Sequence, residues 1–342
     1  MVRPGRAGSA VTMAEVARLA GVSIATVSHV LNGTRVVREQ TREAVLAAIG
    51  ESGYTHNTVA RSLVTQSTRS IGVVVSAISN PSLVEVLQGI EAALVRAGYT
   101  LLLADSHDEP ADELAVVQTL HQRRVDGLIV APSTDPVRTI GYLADRAVPA
   151  VFVDRMVDDR FDQVGPDNAE PVAALVDHLA SNGHRRIAFV RGRPGLSTTI
   201  ERDHGYRLGM SRRGLPITDE LVVDGDSEQH AGCKAMHALL DLPERPTAVV
   251  VGNNSMTIGA VRAIREAGLT VPDDIALVAF DDFPWAEDFS PRLTVMAQPT
   301  REIGTCAVQL LMDRLADPTR SPRTERLSPS LVHRDSCGCT KK

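Results

Sequence analysis

Residues 12–63 read TMAEVARLAGVSIATVSHVLNGTRVVREQTREAVLAAIGESGYTHNTVARSL, three short helical patterns in close succession. At the start of this run Thr12 offers a hydroxyl cap and Glu15 follows three residues later, so a capping box is predicted to open a first helix. That helix should end at Gly21, because glycine enters the left-handed conformation at little cost. Ser23 is placed to cap a second helix. Within it Val27, Val30 and Leu31 fall on one side at 3.6-residue spacing, and Ile24, Ala25, Ser28 and His29 fall on the other. Two helices joined by a short turn containing glycine form a unit that sets the second helix into the major groove of DNA. The alternative is a helical hairpin whose polar side is merely solvated. A third helix is predicted over residues 39–52, with Val45, Leu46 and Ile49 inward and Gly53 at its end.

What favours the DNA-reading alternative is a longer ladder of matches. The stretches VARLAGVSIATVSHVLNG, TREAVLAAI and ARSL, then IGVVVSAISNP, RRVDGLIVAPS, FVDR, GHRRIAFV, AIREAGLTVPDDIALVAFDD and SPRLTVMAQP resemble the lactose-repressor and galactose-repressor (LacI/GalR) family over nearly the whole chain. The resemblance implies an N-terminal all-α helix-turn-helix headpiece with a hinge helix, followed by an α/β periplasmic-binding-protein type I fold of two parallel-sheet lobes. It implies a repressor that binds a palindromic operator as a homodimer and answers to a small-molecule effector in the interlobe cleft. A carbohydrate is the expected effector; a purine-like corepressor is the alternative. The DNA-contacting set it implies is Thr12, Ser23, Ile24, Ala25, Thr26, Ser28, His29 and Asn32 in the headpiece, with Asn57, Ala60, Arg61 and Leu63 in the hinge. By the same resemblance, the Leu63 side chains of two subunits wedge into the central base step and kink the duplex.

Two headpiece positions depart from the family. Arg38 stands where many relatives have a hydroxyl cap, which leaves the start of the third helix less firmly fixed. His29 stands where the family generally has arginine, and histidine is shorter and mostly neutral at pH 7, so a weaker or pH-sensitive contact is expected there.

Charge follows the same division. Residues 1–69 hold eight arginines and four glutamates, a net charge of +4, while the remainder carries −10 of the chain's total of −6. A basic head suits phosphate contacts, since lysine and arginine release the counterions condensed on DNA. The 342 residues are 43% hydrophobic but contain no apolar run approaching the ~20 residues of a membrane span. The first residues lack the apolar core of an export signal, so residues 1–11 are read as a disordered arm and the expected location is cytoplasmic, with the nucleoid. The remaining divisions are the helix-turn-helix domain at 12–56, hinge and linker at 57–69, effector-binding and dimerisation domain at 70–330, and a polar tail at 331–342. With no leucine heptad near the end, a dimer is expected.

From residue 71 onward, valine- and isoleucine-rich runs alternate with helical stretches, the pattern of parallel sheets covered on both faces. Strands are predicted at 71–75, 100–104, 127–131, 150–153, 186–190, 248–251 and 275–280, with helices at 83–97 and 169–181 among those between them. So many strands exceed one comfortable domain, and two similar lobes follow. The family implies crossovers between them near Pro166, residues 251–254 and Gln298.

Open parallel sheets bind ligands at the carboxyl ends of their strands. Asp154, Asn253 and Asp281 stand at such ends, and Arg202 and Gln298 match positions of family ligand contacts. Ser82, in NPSLVE, joins this set but with Leu83 replaces two aromatics common in relatives; Ser227 replaces a ring, and Asn254 a common aspartate. With aromatics at 3%, the stacking platform for a sugar ring or purine is thin.

No cofactor is expected. Cys337 and Cys339, with Gly338 between them and His333 nearby, are assigned no metal, because the spacing is short and the tail polar. His178 and His184 read as helix-end or surface residues, the four cysteines suggest no disulfide framework, and residues 192–195 lack the glycine spacing of a dinucleotide fingerprint. No nucleophile and base arrangement points to an enzyme. The remaining competitor, a solute-binding protein of the same two-lobed fold, would need an export signal and no helix-turn-helix.

Overall fold

The computed structural model describes residues 11–32, 35–54, 67–78 and 80–339. These fall into two compact units, divided between Thr68 and Arg69. The expected arm and the hinge positions Asn57, Ala60, Arg61 and Leu63 lie outside the described residues.

The first unit contains α1 (Met13–Ala20), α2 (Ile24–Asn32) and α3 (Glu39–Ser52). The chain bends by 102° between α1 and α2, within the range of a helix-turn-helix. Gly21 at φ 64° and Gly53 at φ 66° end the first and third helices in the left-handed region, as the sequence requires. The capping box does not form: Thr12 makes no side-chain cap, and Glu15 pairs instead with Arg18 at 3.3 Å. Ser23 does cap α2, its hydroxyl accepting from the Thr26 N–H at 3.1 Å. Arg38 provides no side-chain cap to α3. The small core gathers Val16, Ala17, Val27, Val45 and Ala48, with Val30, Leu31 and Ile49 packed against it. Leu46, expected inside, is 50% exposed because Ala48 takes the inward position on that turn.

The second unit is built on two six-stranded sheets. In chain order its elements are β1 (Ser70–Val75), α4 (Pro81–Arg96), β2 (Thr100–Asp105), α5 (Pro110–Gln122), β3 (Gly127–Val130), α6 (Val137–Asp145), β4 (Ala150–Val153) and β5 (Asp162–Pro166). The second lobe adds α7 (Ala169–Ser181), β6 (Ile187–Arg191), α8 (Ser197–Arg212), β7 (Val222–Asp224), α9 (Gln229–Leu240), β8 (Ala248–Val251), α10 (Asn254–Glu266), β9 (Ala276–Phe280) and β10 (Thr294–Ala297). Then come α11 (Thr300–Ala316), β11 (Thr324–Leu327) and β12 (Ser330–Val332). The sheet orders are β11-β5-β4-β3-β1-β2 and β12-β10-β9-β8-β6-β7. Among the described strands, only β12 runs antiparallel to its neighbour.

Each sheet is covered on both faces, which is why runs such as Ile71 to Val75 and Ala276–Phe280 are apolar without alternation. Helices approach one another through glycines. A Cβ on Gly205 would lie 2.3 Å from the Ala169 carbonyl oxygen, so the α7–α8 contact requires glycine there. The adjoining Tyr206 is fully buried and donates its hydroxyl to the Ile187 carbonyl at 2.9 Å.

The chain passes between lobes three times: after β5, after β10, and between β11 and β12. Two of these match the expected positions near Pro166 and Gln298. The segment 251–254 is not a crossover, because β8 and β9 are adjacent in one sheet; the third crossing comes at 328–329. Nor are the described residues from 334 to 337 part of a polar tail. Arg334, 6% exposed, pairs with Asp282 at 2.8 Å and Glu287 at 2.6 Å, and Ser336 and Cys337 are fully buried against the second sheet. Among the described residues, no single helix is long and apolar enough to cross a membrane.

Candidate effector cleft and nucleic-acid interface

Both sheets share one topological feature. In each, the first and third strands of the lobe, β1 with β3 and β6 with β8, lie side by side, so the chain reverses its winding direction there. Loops leaving the sheet at that point diverge and open a crevice. Thirteen residues from strand ends of both lobes and from the helices that follow them line a cavity of about 40 Å³ within the second unit.

The six residues anticipated for the effector, Ser82, Asp154, Arg202, Asn253, Asp281 and Gln298, all line it. Asp154 and Asp281 leave β4 and β9, one in each lobe, and both adopt positive φ, 69° and 77°. A side chain at such a φ is uncommon, and its strain marks functional turns. Asp281 also accepts a hydrogen bond from the Gln298 side-chain amide. Burial pushes both carboxyls above their ordinary range, an effect Arg202 partly offsets at each.

Arg202 is held as a fixed cation. Its Nε donates to Asn168 Oδ1 at 2.8 Å and its Nη1 to the Gly252 carbonyl at 2.7 Å. Its guanidinium carbon lies 3.9 Å from the Phe280 ring centroid, a stacking arrangement lysine could not reproduce. Asn253 caps α10, its Oδ1 accepting from the Met256 N–H at 2.8 Å while its Nδ2 donates to the Ser227 carbonyl at 3.2 Å. Both ends of that amide are thus engaged within the protein.

Asn80, Val86, Arg155, Leu196 and Thr198 line it without having been singled out in the sequence. The strand-end rule applied to β1 and β6 would have found Asn80, Leu196 and Thr198. Arg155 follows Asp154 and is locked by Asp108 and by the Pro132 carbonyl at 2.6 Å. The lining contains no aromatic ring, and its apolar members are Leu83, Val86 and Leu196.

On the headpiece, Ile24, 51% exposed, and Ala25 form the open side of α2, with Ser28 and His29 half-buried beside them. Thr12 and Ser23 are exposed as well, and Thr26 is half-buried. An α-helix with such a face fits the width of the major groove, where an aliphatic group can meet a thymine methyl.

Together these units define a DNA-binding regulator with a ligand cleft. The pattern of bacterial regulatory proteins of the lacI family matches residues 12–57, and that of a periplasmic binding protein-like domain matches residues 176–337. The HTH-type transcriptional repressor PurR of Yersinia pestis bv. Antiqua (strain Antiqua) is 39% identical over 329 residues, covering 95% of this chain and 96% of that protein. Among solved structures, the lac repressor dimer bound to operator and the anti-inducer ONPF is 29% identical, with a TM-score of 0.87, covering 96% of this chain and 99% of that one. The complex of the transcriptional regulator CelR with cellobiose is 31% identical, with a TM-score of 0.74, covering 95% and 99%. The chain belongs to the lacI family of bacterial regulatory proteins.

Proposed function

We propose that the chain is a transcriptional repressor that binds a palindromic operator as a homodimer, in the cytoplasm, and whose DNA affinity is set by a polyhydroxylated effector, a carbohydrate, held in the cleft. The observation that carries the effector reading is the pair of strand-end carboxyls, half-buried Asp154 and buried Asp281, set around Arg202 in a lining without rings. Carboxyl and guanidinium groups can satisfy several hydroxyls at once, and a site built on such bonds rejects ligands lacking them. The transcriptional regulator CelR, 31% identical to this chain, is solved as a complex with cellobiose.

A purine-like corepressor is the second reading, favoured by the 39% identity to a repressor named PurR. Against it stand Ser82, Leu83 and Ser227, which put no aromatic face in the lining. The cavity of about 40 Å³ holds roughly three waters at about one per 10–15 Å³, so either ligand enters by parting the lobes. On the DNA side, Ile24, Ala25, Ser28 and His29 contact base edges or adjoining phosphates, and Leu63 of each subunit wedges the central step.

Selection of genomic fragments by the purified full-length protein, at near-physiological salt, tests the regulator. Recovery of a palindrome with half-sites about one helical turn apart supports it; retention without sequence preference overturns it.

A further inference from the structure

We infer that His178, His333, Cys337 and Cys339 form a structural zinc site that staples the C-terminal segment to α7 in the second lobe. The four ligand atoms, two imidazole nitrogens and two thiol sulfurs, lie within 4.8 Å of one another. Cys337 Sγ is 2.8 Å from Cys339 Sγ and 3.2 Å from His333 Nε2, while Cys339 Sγ is 3.5 Å from His178 Nε2. A tetrahedral site with metal–sulfur bonds of ~2.3 Å and metal–nitrogen bonds of ~2.1 Å has edges of roughly 3.3–3.8 Å. Small side-chain rotations therefore take the observed cluster to that geometry.

The short interval between the cysteines, which argued against a metal on spacing alone, is made workable by Gly338. At φ 73° it turns the chain so that both sulfurs face the same point. The fourth ligand comes from far away in sequence: His178 sits in the last turn of α7. The segment that presents the cysteines is itself rigidly seated. Ser336 donates its hydroxyl to the Leu277 carbonyl at 2.6 Å and accepts from the Thr294 N–H at 2.8 Å. Cys337 is fully buried among the apolar side chains of the second lobe, and His333 is at the surface, giving an ion a path from solvent.

Two sulfurs and two imidazoles in tetrahedral array select zinc over harder cations. Thiolates are the ligand form, so binding M²⁺ converts two thiols to thiolates and releases two protons to solvent. The expected effect is structural, holding β12 and the following residues against β9 and β10.

The test uses the full-length protein, reduced and freed of metal, titrated with Co²⁺ and then Zn²⁺. One equivalent of cobalt per chain should bind with a thiolate charge-transfer band and release about two protons, and zinc should displace it. Cys339→Ser and His333→Ala should each weaken binding by on the order of a hundredfold or more, since even outer-shell changes cost 10–100-fold. Their circular dichroism and operator binding report whether they remain folded. Cys233→Ser, in the separate surface group of Cys233, His237 and Glu266, should leave the band unchanged. The inference is overturned if natively folded protein shows no stoichiometric band, if the band survives Cys339→Ser, or if Cys337 and Cys339 prove to be a disulfide whose reduction yields no metal uptake.

Discussion

Asn254 Nδ2 donates a 2.9 Å hydrogen bond to Ser82 Oγ, joining the first turn of α10 in one lobe to the first turn of α4 in the other. Both are positions where the sequence resemblance leads one to expect another residue, an aromatic at Ser82 and an aspartate at Asn254, and both are buried. The two departures thus meet across the interlobe boundary. A carboxylate in place of Asn254 could not donate this bond, and a ring in place of Ser82 could not accept it.

Ser82→Ala and Asn254→Ala should each destabilise the effector domain by about 1–3 kcal/mol, because each leaves a buried polar partner unsatisfied. The double variant should cost less than the sum, as expected for residues in contact. Chemical denaturation of the four proteins measures the coupling, and strictly additive losses would remove this bond from the account.

Asp281→Asn should weaken effector binding by roughly tenfold to a hundredfold, the value of a hydrogen bond to a charged group, while operator binding without effector is kept. It should also raise the melting temperature near neutral pH. The sign follows from burial, which lifts the Asp281 carboxyl above its unfolded value despite Arg202 and Gln298. The folded state then holds the proton more tightly, so stability is lost as pH rises from the ordinary carboxylate range through the raised value. The gain from asparagine should accordingly shrink toward about pH 4. An unchanged or lower melting temperature at neutral pH would mean that burial of this carboxyl is not destabilising.

His29→Arg should strengthen operator binding and steepen its salt dependence by about 0.9 in the log–log slope for each additional phosphate neutralised. Fluorescence anisotropy across a salt series separates this from a base contact, which would raise affinity with little change in slope. Unaltered affinity would show that residue 29 faces away from the DNA.

Leu63→Ala should lower operator affinity by about tenfold or more, ~1.4 kcal/mol, while leaving self-association and effector binding intact. Equal affinity of the two proteins for the same operator would exclude the wedge.

Much of this organisation is legible in the sequence because the decisive residues are locally determined. Gly21, Ser23 and Gly53 fix helix ends through their own backbone or side-chain chemistry. Asp154 and Asp281 are found because each directly follows an apolar strand buried on both faces. What escapes is what depends on partners distant in sequence. β11, with the sequence TERL, carries no apolar pattern because it lies exposed at a sheet edge, and with it the third crossover is missed. The buried seat of Arg334 and Ser336 rests on Asp282, Glu287 and Leu277, none of which a polar C-terminal sequence reveals. Thr12 fails as a capping box because Glu15 has a competing partner one turn on, Arg18.

The most direct test of the central claim is the operator affinity of the full-length protein at fixed salt and pH, titrated with a panel of carbohydrates and purine bases, beside the Asp281→Asn variant. The account predicts that one carbohydrate changes wild-type affinity at least about fivefold, the lower end of allosteric coupling, and that the variant needs roughly tenfold to a hundredfold more of it for the same change. A purine base that does so in place of every carbohydrate, or a carbohydrate response with the same midpoint in Asp281→Asn as in the wild type, would contradict it.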